Sequence, residues 1–181
     1  TKDLDLLLDA LDSKVEISED LVILPGMVAD SLAHASPWEN IHDKLLIDAT
    51  SPIEGDPRYL RAPLGGCPDS LEVSASGIDG IVQARMLRSS MLVVTTDIEG
   101  GPSPSENVET DDEEGARRQR EKICSIRDSI WNLEGASNLR WLFITDSDVD
   151  LSDDSWKRVL LWQFFCRFDV GRDLHFDSDR R

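Results

Sequence analysis

The stretch RWLFITDSDVD, Arg140 to Asp150, drives the apolar residues Trp141 to Ile144 into three aspartates set two apart. An apolar run of that length, closed by turn-forming residues, predicts a short buried strand. The acids behind it admit three readings. They could be oxygen ligands for a hard cation, they could include a nucleophile, or they could form the turn by which a strand hands over to a helix. The last reading is preferred: Asp146, Asp148 and Asp150 would accept backbone N–H bonds ahead of Ser152, the expected N-cap of a helix over DDSWKRVLLWQFFCRF. A calcium loop is refused by Leu151 in the glycine position and by Lys157 where a bidentate glutamate belongs.

Outward from that stretch, apolar spacing alternates between strand and helix. Leu4, Leu7, Leu8 and Leu11 predict an amphipathic helix over 2–12, and LVILPG and KLLIDAT predict short strands at 21–26 and 44–50. SLEVSASG and GIVQARM, around Gly77 and Gly80, are expected to form a hairpin, and SMLVVTTDI a central strand. Residues 99–115, rich in Gly, Pro, Ser and acid, predict a flexible acidic loop. Ile123, Ile126, Ile130 and Leu133 predict a helix with Arg117, Arg118 and Arg120 exposed in its first turn. The expectation is one domain over 1–181, an α/β layered fold with a mixed or mostly parallel sheet flanked by helices.

The whole chain narrows the partners. With 36 acidic against 19 basic side chains, the net charge of -17 repels nucleic acid and anionic membrane surfaces. No apolar run reaches the roughly 20 residues of a membrane-spanning helix. The N-terminus TKDLDLLLDALDSK lacks the basic region of a secretion signal, and three cysteines build no complete disulfide framework, so a reducing cytoplasm is expected. His34, His42 and His175 would suit zinc if the fold brought them together, although isolated histidines near loops are more often surface or capping residues. GGPS at 100–103 is too short to cradle a phosphate, and no serine or cysteine stands in a nucleophile elbow.

Read together, LRWLFITDSDVDLSDDSWKRVLLWQFFCRFDVGRDL resembles the UbiD family of carboxy-lyases (3-octaprenyl-4-hydroxybenzoate decarboxylase-like): apolar strand, Asp-rich turn, Trp-bearing helix, then Arg172-Asp173. DSLAHASPWENIHDKLLIDATSPIEGDPR is similar to a second family segment, through Ala35-Ser36-Pro37 and Lys44 to Thr50. The family places these segments in the opposite order. The resemblance therefore implies a circularly permuted module in which the strand at 44–48 lies beside that at 141–145 in one sheet, with the chain ends as neighbours.

What the resemblance implies is a module like the family's C-terminal domain, acting in subunit assembly or active-site closure. The prenylated flavin and the catalytic carboxylates and arginine belong to another domain or subunit, and the substrate class would be an aromatic or unsaturated carboxylic acid. No catalytic or cofactor-binding residue is carried over. Asp48, Asp146, Asp148, Asp150, Arg172 and Asp173 match family motifs and are expected to serve as ion pairs and caps. A homo-oligomer or a catalytic partner subunit is expected, with Trp162 as a candidate contact. The rival is a magnesium-dependent phosphoryl- or glycosyl-transferring enzyme using Asp146 and Asp148, since haloacid-dehalogenase-like phosphatases and nucleotide-sugar transferases also end an apolar strand in D-x-D. A third reading is an interaction domain without a ligand.

Overall fold

A computed structural model describes residues 2–15, 20–28, 41–48, 50, 65–98, 113–153, 155–167 and 174–176. Along the chain these form α1 (Lys2–Ser13), β1 (Leu21–Val28), β2 (Ile41–Ile47), α2 (Ser70–Ser76), β3 (Ile81–Arg88), β4 (Met91–Thr96), α3 (Glu113–Trp131), a 3-10 turn (Ala136–Asn138), β5 (Trp141–Asp146) and α4 (Trp156–Arg167). Among the described residues the fold is mixed α/β with two sheets. One is the antiparallel pair β1-β2; the other has the order β3-β4-β5, with β3 antiparallel and β5 parallel to β4.

The strand MLVVTT earns its central place by composition. All six residues of β4 are buried, and its β-branched side chains suit a pleated surface packed on both sides. Successive side chains of a strand point to opposite faces. Met91 and Val93 accordingly join Leu8, Leu87, Val149, Leu151, Trp156 and Leu160, while Leu92 and Val94 join Leu71, Ala75, Ile126, Ile130, Ala136 and Leu139. β5 obeys the same alternation, Trp141 and Phe143 toward the first cluster, Leu142 and Ile144 toward the second. Two parallel neighbours need a crossover, and α3 lies on the connection from β4 to β5. The turn after α3 uses Gly135 at φ +89°, packed against the Pro68 ring, where any Cβ would collide.

Several expectations need correction. SLEVSASG is not half of a hairpin: Leu71, Val73 and Ala75 alternate like a strand, but Leu71 and Ala75 also stand four apart. That spacing wins, because it buries Leu71 and Ala75 on one helix face and leaves Val73 in solvent. The hairpin is instead GIVQARM with the following strand, β3 with β4. Ser152 is not the N-cap of the last helix, which begins at Trp156. The expected side-by-side placement of 44–48 and 141–145 in one sheet is also not met. β2 pairs with β1, β5 pairs with β4, and among the described residues neither cluster takes a buried residue from β1 or β2. Strands near in sequence pair at lower loop-closure cost than strands far apart, and β1 with β2 is the near pairing.

Residues 113–115 of the expected acidic loop belong to α3; 99–112 lie outside the described residues, as do both chain ends. Ile130, fully buried on α3, bears on the packing of the second cluster. Ile130→Ala is expected to lower the unfolding free energy by about 2–5 kcal/mol in a denaturant titration.

Candidate functional site

Asp146 closes β5 and lies in register with Thr96, the last residue of β4. This is the carboxyl end of the parallel pair, where open α/β sheets collect ligands. Asp97 follows β4 at the same end, and Lys122 of α3 donates to its Oδ1 at 2.7 Å. That bond, helped by the lysine's charge, holds the Asp97 carboxyl below the usual range.

Beyond β5 the acids follow a repeated local rule. The amide of Asp148 donates to Asp146 Oδ1 at 3.2 Å. Asp150 Oδ1 accepts from the Ser152 amide at 2.9 Å and from its hydroxyl at 2.7 Å. The Ser155 amide and hydroxyl donate to Asp153 Oδ1 in the same way. At the end of β2, the Thr50 amide at 2.9 Å and hydroxyl at 2.6 Å donate to Asp48 Oδ1. Each is a turn in which a carboxylate accepts from the residue two positions on, and Ser or Thr in that position adds its hydroxyl. The Ser152 hydroxyl and amide, with Gln83, hold the Asp150 carboxyl below its ordinary value, as Ser155 does for Asp153.

The turn is gripped from the sheet by two residues absent from the sequence reading. Gln83 of β3 donates from Nε2 to Asp150 Oδ1 at 3.2 Å and accepts the Leu151 amide at 2.7 Å. Its side-chain amide thereby imitates a strand neighbour. Arg85, two residues along on the same face of β3, donates to the Leu151 carbonyl at 2.5 Å, and its guanidinium stands 5.7 Å from the centre of the Trp156 ring. Lys157 approaches the same ring at 5.9 Å.

A second polar node fixes α1. Asp12 Oδ1 accepts the Ser90 amide at 2.9 Å and hydroxyl at 2.6 Å, and Oδ2 accepts the Ser89 hydroxyl at 2.7 Å. Arg140 donates Nε to Ser90 Oγ at 2.9 Å and Nη2 to the Asp12 carbonyl. Arg88 adds bonds to Asp5 at 2.8 Å and Asp9 at 2.6 Å. Burial would raise the Asp12 pKa, but the Ser90 and Ser89 bonds and the Arg140 charge outweigh it and leave it lowered. Cys67, near the same node, has its thiol pushed up by burial, the opposite of an activated nucleophile.

No family model, curated protein or solved structure matches this chain. Among the described residues no group of three or more His, Cys, Asp and Glu could hold a metal ion. No described helix is long and apolar enough to cross a membrane. Asp48 and the Asp146, Asp148 and Asp150 series belong to different sheets' ends. His175 is exposed; His34, the His42 side chain, the Trp162 side chain, Arg172 and Asp173 lie outside the described residues. α3 begins at Glu113, so Arg117, Arg118 and Arg120 fall beyond its first turn, which instead holds Glu114, the acid that pairs with Arg118.

Two measurements test these contacts. Gln83→Leu should destabilise the fold by about 1–3 kcal/mol and speed hydrogen exchange at the Leu151 amide, because that donor loses its acceptor. Since the Asp12 pKa is depressed on folding, its contribution is complete above the ordinary value of 3.8 and is lost as pH falls through the lower folded value. Asp12→Asn should therefore show its full stability deficit near neutrality and a shrinking one below about pH 4.

Proposed function

We propose that the chain is a UbiD-like, decarboxylase-related module that serves subunit assembly or active-site closure and carries no catalytic constellation of its own. The observation that carries this reading is the use of the acids after β5. Asp146, Asp150 and Asp153 each accept from a backbone amide two residues on, and Gln83 holds Asp150 from β3. Oxygens spent on their own turn make that turn a rigid support for α4. The resemblance of 139–174 to the UbiD carboxy-lyases supports the family assignment; the placement of β2 in a separate sheet lends the permuted arrangement no support.

A layered arrangement belongs to the same proposal, with α1 and α4 over one face of the three-stranded sheet and α2 and α3 over the other. The membership of the two buried clusters supports it. Prenylated flavin would be supplied by a catalytic domain or subunit outside this sequence, acting on an aromatic or unsaturated carboxylic acid. A cytoplasmic setting suits the free thiols Cys67 and Cys124.

One observation favours the magnesium-dependent reading instead. Asp97 and Asp146 stand at the carboxyl ends of adjacent parallel strands, with Asp148 two residues on. Titration calorimetry with magnesium and with manganese separates the two. The assembly reading expects no binding heat; binding abolished by both Asp146→Ala and Asp148→Ala would move the assignment to phosphoryl or glycosyl transfer. Co-expression with a flavin-loaded UbiD-type catalytic subunit should retain this chain through affinity purification and raise the rate of decarboxylation. The absence of both retention and a rate change would overturn the proposal.

A further inference from the structure

We propose that a second copy of this chain adds to the edge of β1 that no described strand pairs, antiparallel and about a twofold axis at Val22, joining the two β1-β2 ribbons into one four-stranded sheet. This deepens the assembly reading and rests on it.

The backbone supplies the first argument. The Asp48 amide donates to the Asp20 carbonyl at 2.8 Å, which makes residues 20 and 48 a hydrogen-bonded pair of the ladder. In antiparallel pairing, hydrogen-bonded and non-hydrogen-bonded positions alternate. Val22 with Leu46 and Leu24 with Lys44 are then bonded pairs, so Leu21 and Ile23 turn their N–H and C=O groups to the outer edge. Among the described residues no strand pairs with that edge. A two-stranded ribbon is marginal by itself, and a bare edge is a template for another strand.

The side chains say which strand. β1, LVILPGMV, has no charged residue in a chain of net charge -17. Val22 is 46 % and Ile23 39 % exposed, and as neighbours in a strand they face opposite sides of the ribbon. With Val22 on the axis, Leu21 stands opposite Ile23 of the second copy and Ile23 opposite its Leu21. Both outward-facing residues are then bonded, every facing pair among 21–23 is apolar, and no like charges oppose. Pro25, which has no N–H to give, and the irregularity between Leu24 and Met27 end the match beyond Leu24. The edge of β2 is less suited, with Asp43 and Lys44 in mid-strand.

Because the contact is apolar while the chains repel through their net charge, association should strengthen with salt. Light scattering on the full chain should give the mass of two chains, with dissociation on dilution at low salt. Val22→Lys sets a charge against its own copy across the axis and should yield monomers; Val73→Lys, the same change on exposed α2, should leave the pair intact. Facing non-hydrogen-bonded residues come close enough for a disulfide, so Val22→Cys should cross-link two chains under mild oxidation where Val73→Cys does not. A monomer at every concentration, open-ended aggregates, or equal cross-linking by both cysteine variants would overturn the pairing. A monomer still retained by the catalytic subunit leaves the assembly reading standing and removes only this contact. A pair that breaks with Val22→Lys but is ignored by the catalytic subunit does the reverse.

Discussion

Burial of β4 on both faces is the constraint from which the described part of this fold follows. Six successive buried residues leave no face for water, so the strand must sit between two others and under cover on each side. β3 reaches it by a tight antiparallel turn, whereas β5 lies parallel and requires a connection long enough to return to the starting end, which includes α3. The two apolar clusters are consequences of the pleat, since odd-numbered residues of β4 and β5 feed one and even-numbered residues the other. Ser90, fully buried just before β4, organises the polar side of the same region by receiving α1 through Asp12 and the start of β5 through Arg140.

The acids after β5 illustrate how an Asp-x-Asp pattern can carry structure. A carboxylate whose oxygen accepts an amide and a hydroxyl two residues on keeps its charge at little cost, because those donors replace water. The full device recurs at Asp48, Asp150 and Asp153, and its amide half at Asp146, so an acidic chain turns after β2 and between β5 and α4. Gln83 and Arg85 then fasten the turn to β3, and Trp156 packs beneath Arg85 at the first turn of α4.

The β1-β2 ribbon is organised differently. Among the described residues it pairs along one side only, with an irregularity between Leu24 and Met27, and its exposed apolar residues lie on both faces. A small sheet that shares in neither buried cluster among the described residues gains most from an additional strand, which is the physical link between the fold and the proposed assembly.

Sequence alone determined the features that depend on neighbours in the chain. The helical stripes of α1 and α3, the β-branched run of β4, and the strand of Trp141 to Asp146 were legible because burial imposes a period on side chains that solvent does not. The turn role read for the acids rested on the same local chemistry, a carboxylate within reach of amides two residues on. Tertiary structure decided what depends on distant partners. SLEVSAS fits either period, and only the cluster receiving Leu71 and Ala75 made it a helix. Gln83, Arg85, Asp12 and Arg140 acquired their roles from groups up to 128 positions away, as in the bond from Arg140 to Asp12, with no local pattern to mark them. Which strands share a sheet was settled in the same way, because loop closure and edge availability are properties of the folded chain and leave no trace in any single segment.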